Sequence, residues 1–200
     1  MNIGIDIDGV INDLERYHLD YGSKFCSENH INYSLKVQEY KIKNAFGWTD
    51  QTYRAFMHEY YHYFLTTSVY LRVHAAEVIR TLSWNHNIFI LTARVDKDLP
   101  ASTNQSMYTV SKHWLDCNEI YYNQLLVTHW DKRDAIKNLN IQIMIEDNPQ
   151  FLELVSNYTN ILFLCYNAHY NEHLSFANLH RVYSWYDILN VINNLEVAHE

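Results

Sequence analysis

The sequence predicts an α/β protein: a Rossmann-like parallel sheet in three layers, with a small helical cap inserted after the first strand. Three observations predict it. Short apolar runs rich in β-branched residues stand at 3–7, 87–92, 124–128, 141–145 and 161–164, the length and composition of buried strands. From Ile88 onward these runs alternate with helical patterns, as βαβ units of a sheet covered on both faces do. Between 14 and 80 no such run occurs, and apolar residues recur at helical spacing instead. The expected division is therefore a core of 1–13 and 81–200 and a cap of 14–80.

Ile3, Ile5 and Ile7 alternate with Gly4, Asp6 and Asp8, and Gly9 closes this first strand with a sharp stop. Helices are then expected from Leu14 and around Val37, Tyr40 and Ile42. Phe46 and Trp48 flank Gly47 in a loop, and Thr49 or Asp50 caps a helix through Tyr53, Phe56, Tyr60 and Phe64. A helix from Ala75 to Leu82 leads back to the second strand, which ends in Thr92-Ala93-Arg94. A polar loop over 96–105 and a helix from Met107 follow. The third strand leads into a helix with Lys132 near its start, and the fourth ends in Glu146-Asp147-Asn148-Pro149. The strand at 161–164 reads as the last, and Ser184 caps a final amphipathic helix.

With 48% hydrophobic residues, only 4 Gly and 2 Pro, the 200-residue chain can bury a sizeable core and is not a linker or disordered segment. A net charge of −8 disfavours a polynucleotide surface, which needs clustered Lys and Arg. Cys26, Cys117 and Cys165 are odd in number and widely spaced, the usage of reduced thiols. The first strand begins almost at Met1, and no apolar stretch approaches membrane-spanning length. A cytoplasmic location without membrane association is the resulting expectation.

In parallel sheets ligands bind at the carboxyl ends of the strands. Asp6 and Asp8 stand at one such end, Thr92 at a second, Glu146 and Asp147 at a third, and Lys132 follows a fourth. Two carboxylates at i and i+2 repel at close range unless one is protonated or a cation intervenes. A magnesium ion at the strand end, one aspartate as nucleophile and its neighbour as acid and base resolve that conflict.

Asp6-Ile7-Asp8-Gly9-Val10, Thr92, Lys132 and Glu146-Asp147, in that order, resemble the four motifs of the haloacid-dehalogenase-like (HAD) phosphohydrolases. The resemblance covers roughly 1–13 and 85–165. Ile90-Leu91-Thr92-Ala93-Arg94, Trp114-Leu115, Glu146-Asp147-Asn148-Pro149 and Tyr166-Asn167 further resemble the 5′(3′)-deoxyribonucleotidase group and its bacterial nucleotidase relatives. The resemblance implies Asp6 as nucleophile and Asp8 as general acid and base. It implies Mg²⁺ held by Asp6, the Asp8 backbone carbonyl and Asp147, and phosphate held by Thr92 and Lys132, with N–H groups near Gly9 and Ala93. Glu146 stands where many relatives have Asp, which leaves open whether it reaches the metal; Val10 replaces the more usual Thr.

The implied activity is Mg²⁺-dependent hydrolysis of a small phosphomonoester, first a nucleoside or deoxynucleoside monophosphate, with Phe46 and Trp48 as a base or leaving-group pocket. Another phosphorylated metabolite is the nearest rival, and a non-catalytic binding or regulatory protein of the same fold is a rival of another class. The expected partner is the small substrate alone, with room for a homodimer. His58-Glu59-Tyr60-Tyr61-His62 matches a zinc pattern, but in a chain with 12 His and 17 Tyr, and with no evident third ligand, it reads as a helix face.

Overall fold

The computed structural model describes residues 1–66, 70–94 and 106–197. The loop expected over 96–105 lies outside the described residues. Six strands form one sheet: β1 (Asn2–Ile5), β2 (Asn87–Thr92), β3 (Gln124–Val127), β4 (Ile143–Glu146), β5 (Leu162–Tyr166) and β6 (Leu179–Val182). Their order is β3-β2-β1-β4-β5-β6, and every pairing is parallel. β1 is central because its isoleucines are sealed on both sides; Ile3 faces Ile88 on one neighbour and Ile143 on the other. The Asp6 N–H donates to the Ile145 carbonyl at 3.1 Å, so the ladder runs on to the first aspartate.

Side-chain alternation splits the core. Ile3, Ile5, Ile88, Ile90, Ile143 and Ile145 pack on one face against α4 (Ala75–Leu82), α5 (Met107–Cys117) and α8 (Trp185–Val197). Leu91, Met144 and Phe163 pack on the other against α6 (Arg133–Asn138) and α7 (Pro149–Leu154). The result is the three-layer sandwich that the sequence predicts. The caps are local: Thr49 accepts from the Thr52 N–H at 3.2 Å, Asn148 from Gln150 at 2.9 Å and Ser184 from Asp187 at 3.1 Å.

In the range expected for the cap, α1 (Leu14–Glu28), α2 (Ile42–Ala45) and α3 (Asp50–Thr66) share a largely aromatic cluster that also takes in Met107 and Val110 of α5 and touches Val127 of β3. Two antiparallel chain crossings join it to the core. The Asp13 N–H donates to the Tyr70 carbonyl at 2.7 Å and the Arg72 N–H to the Ile11 carbonyl at 2.9 Å. α4 falls inside the range 14–80 expected for the cap, but its Ala75, Val78, Ile79 and Leu82 bury into the sheet's core. β6 was not expected. It is an edge strand, and His180 and Arg181 interrupt its apolar pattern. No helix among the described residues is long and apolar enough to cross a membrane. All three cysteines are free, Cys26 and Cys165 buried.

Candidate active site

The chain leaves β1, crosses to β2 and β3 on one side, then returns to β4 on the other, so the sheet's switch point lies between β1 and β4. Crevices form at the carboxyl ends there. Asp6 and Asp8 follow β1, and Glu146 and Asp147 end β4. The turn after β1 is held by the Ile7 carbonyl, which accepts from the N–H groups of Val10, Ile11 and Asn12 at 3.3, 2.9 and 3.1 Å. Gly9 takes φ +87°, and a Cβ there would lie 1.9 Å from Asp147 Oδ2. Only glycine lets the two strand ends approach so closely.

Lys132 lies 2% exposed between two acids, its Nζ 2.8 Å from Asp6 Oδ1 and 2.6 Å from Glu146 Oε2. Burial lowers the ammonium's proton affinity, but Asp6 and Glu146 outweigh that and raise it, so Lys132 stays charged. Glu146 Oε1 accepts from the N–H groups of Asp147 and Asn148, both at 3.1 Å. Both Glu146 oxygens are thus taken, and this side chain orients Lys132.

Asp6 and Asp147 differ. Asp6 Oδ1 has no aligned hydrogen-bond donor despite the nearby ammonium, and Asp147 Oδ1 has none either. Burial, reinforced by Glu146 and Asp8 against the pull of Lys132, pushes the Asp6 carboxyl up to about 8. Burial and then the charges of Glu146 and Asp6 push Asp147 well above the carboxylate range. Oxygens of Asp6, Glu146 and Asp147 lie within 4.8 Å of one another. Buried, crowded carboxylates with lone pairs lacking donors are the donor set of a hard divalent cation. Asp6 and Asp147 fit a divalent cation, whereas Glu146 spends its oxygens on Lys132 and two N–H groups. Tyr170 OH donates a short hydrogen bond to Asp147 Oδ2, and Asn171 Nδ2 donates to its carbonyl at 2.9 Å, so Asp147 is held from behind.

Asp8 is built otherwise. Burial pushes its carboxyl up, but Arg94 and the Asn12 amide overcome this and hold it below the usual range. Thr92 Oγ1 is buried with no partner among the described residues, a donor facing no acceptor. The Gly9 N–H, expected to face phosphate, instead donates to Asn12 Oδ1 at 3.0 Å. Gly9 serves by leaving room for Asp147. Ala93 lines the cavity described next.

That cavity, about 490 Å³, runs from Asp6, Asp8 and Lys132 up between core and cap. Its aromatic wall comes from Tyr40, Tyr53, Phe56, Tyr61 and Phe64, with Lys41 and Lys43 on the cap side. Phe46 and Trp48 are not in this wall. Both are buried in the cap, stacked at 4.8 Å, and Trp48 Nε1 donates to Cys26 Sγ at 3.2 Å. Phe46 sits on Gly22 of α1, where a Cβ would come within 2.6 Å of its ring. Trp48→Ala is expected to cost about 3–5 kcal/mol of stability, as large core truncations do. It should leave the ratio of kcat/KM for a nucleotide and an aryl phosphate unchanged; urea unfolding and paired assays check both. His58 and His62 are exposed, and they join no cluster of three metal-ligating groups among the described residues.

No family model matches the chain. A nucleotidase of Clostridium acetobutylicum is 30% identical over 198 residues, covering 98% of this chain and 95% of that protein. A HAD-superfamily hydrolase of Geobacter sulfurreducens superposes with a TM-score of 0.59 at 14% identity, covering 96% and 95% of the two chains. The chain belongs to the family of that nucleotidase, and its fold is that of the HAD hydrolases. β-Phosphoglucomutase of Clostridium difficile shares the HAD fold at a TM-score of 0.55 and 16% identity over 98% of each chain. The chain sets its acids, threonine and lysine at or after the ends of four adjacent strands of that fold's sheet, β3, β2, β1 and β4. Asn12, Arg94 and Tyr170, which fix Asp8 and Asp147, are site residues that the sequence reading did not single out. Arg94 carries a signal, standing two residues after Thr92; Tyr170 carries none.

Proposed function

We propose that this HAD enzyme is a Mg²⁺-dependent phosphomonoesterase that hydrolyses nucleoside or deoxynucleoside monophosphates through an aspartyl-phosphate. The observation that carries the reading is the joint one: the aromatic-walled cavity ends on Asp6, Asp8 and Lys132. Four carboxylates (Asp6, Asp8, Glu146, Asp147) face two cations, Lys132 and Arg94, so an anionic substrate meets an acidic site. A divalent cation held by Asp6, Asp147 and the Asp8 carbonyl would neutralise that excess and polarise the phosphoryl group.

The chain's own residues do the rest. Asp6 attacks phosphorus, and the phosphoryl group passes to its carboxylate. Asp8, ionised in the free site, takes up a proton as the anionic substrate binds beside it, gives that proton to the departing oxygen, and later takes one from the water that cleaves the acyl phosphate. Lys132 and Thr92 Oγ1 hold the remaining phosphoryl oxygens, at no reorganisation cost because Glu146 already fixes the ammonium. The cap residues exclude water from the cavity. The tyrosines and phenylalanines offer stacking surface for a base. Burial pushes His18, which also lines the cavity, down to about 4 against the opposing pull of Asp8. It is therefore neutral at pH 7 and able to bond a sugar hydroxyl without adding charge. A relative named a nucleotidase, at 30% identity, supports the substrate class.

Phosphate release from a panel of nucleoside monophosphates and sugar phosphates tests the reading. Nucleotides should lead the panel by at least about tenfold in kcat/KM, and EDTA should abolish release until Mg²⁺ is restored. A sugar phosphate at the head of the panel would transfer the site to another metabolite, and no turnover at all would favour a binding protein.

A further inference from the structure

We propose that Arg94 is a positioning residue that sets the rotamer of Asp8 for proton transfer to the leaving group, and that it does so through a geometry lysine cannot reproduce. The inference rests on the assignment of Asp8 as general acid and base.

Arg94 Nε donates to Asp8 Oδ2 at 2.9 Å and one terminal nitrogen to Oδ1 at 2.6 Å. This fork fixes both the position and the plane of the carboxylate. Asn12 Nδ2 adds a third donor to Oδ1 at 2.8 Å. The Asp8 side chain is 22% exposed, whereas that of Arg94 is 1% exposed. The aspartate therefore faces the cavity while its anchor is locked.

The anchor is locked by rings. The guanidinium carbon lies 5.8 Å from the centre of Phe64, on the cap, and 5.7 Å from Trp114, on the core helix α5. Arg94 also lines the cavity together with Asp8 and Phe64. Its second terminal nitrogen is buried with no hydrogen-bond partner among the described residues. A purely structural ion pair would be a poor reason for this arrangement, since a buried pair contributes little net stability over apolar packing. A fork aimed at a carboxylate that opens on the cavity gives orientation instead.

Proton donation matters in proportion to the basicity of the departing oxygen. p-Nitrophenolate leaves without a proton, phenolate gains from one, and a benzyl alkoxide requires one. The test is single-turnover release of the alcohol from p-nitrophenyl, phenyl and benzyl phosphate, with Mg²⁺, in the full chain. Arg94→Gln should slow benzyl alcohol release by about 10²-fold or more, the size of a general-acid contribution, and p-nitrophenol release by less than about fivefold. Arg94→Lys should recover less than about a tenth of the loss, because one ammonium does not make the fork. In an Asp8→Asn background, Arg94→Gln should add less than about twofold, since the two side chains act as one unit. The ratio between substrates is internal to one sample, so a partly unfolded variant does not move it.

Equal losses on all three substrates would overturn the proposal, and so would full additivity with Asp8→Asn. If Asp8→Asn itself shows no dependence on the leaving group, the acid role of Asp8 fails and the proposal fails with it. That result is distinguishable, because it appears without any change at Arg94.

Discussion

Asp6→Asn is expected to lower turnover by roughly 10⁴-fold or more, because it removes the attacking oxygen rather than an aid to the attack. The carboxyl is 6% exposed and carries an oxygen without an aligned donor, so the amide replaces a group that burial already disfavours in its charged form. The variant should still unfold cooperatively, because the amide is isosteric and Lys132 keeps Glu146 as its partner. Steady-state phosphate release and urea unfolding measure the two halves. A variant within tenfold of the parent would remove Asp6 as nucleophile. A variant that is inactive because it unfolds would leave the role undecided, so the unfolding curve belongs to the result.

Lys132→Met has the second large effect, and it acts on fold and chemistry together. Lys132 separates Asp6 from Glu146, which is 0% exposed. Removing the cation leaves two buried acids facing each other, and breaking a buried pair from one side costs about 3–5 kcal/mol. The loss should appear as a lower urea midpoint with an unchanged slope. Folded protein should still lose about 10²–10³-fold in turnover, as removal of one oxyanion donor does. Lys132→Arg keeps the charge and should retain most of the stability but not the activity, since a planar guanidinium does not reproduce a point charge set between Asp6 Oδ1 and Glu146 Oε2. Stability of Lys132→Met within about 1 kcal/mol of the parent would contradict the paired-acid account.

How much of this was legible in the sequence depends on what carried the signal. Asp6, Asp8, Thr92, Glu146 and Asp147 were legible as a set because each follows an uninterrupted apolar strand, and a parallel sheet delivers all such ends to one edge. The burial of β1 was legible in its alternating isoleucines, but its central place in the strand order was not. The cap was legible as helices but not as surfaces. Phe46 and Trp48 look in sequence like Tyr53 and Tyr61: all four are aromatics in one helical region. Only packing on Gly22 and Cys26 turns the first pair inward, whereas the second pair lines the cavity. The amphipathic pattern of α4 shows that one face is buried, not which body buries it. β6 escaped because an exposed edge strand does not need an apolar run. Tyr170 escaped because its contact with Asp147 spans 23 positions of chain and depends on the turn after β5.

The central claim is that Asp6 carries the phosphoryl group between substrate and water. Acid quenching of the Asp8→Asn variant during turnover of p-nitrophenyl phosphate, followed by peptide mass spectrometry, tests it most directly. That leaving group departs without a proton, while hydrolysis of the acyl phosphate lacks its base, so the intermediate should accumulate. The account predicts a phosphoryl group on the peptide containing Asp6, sensitive to hydroxylamine and absent in Asp6→Asn. Turnover with no modified peptide, or with the phosphoryl group on another residue, would contradict it.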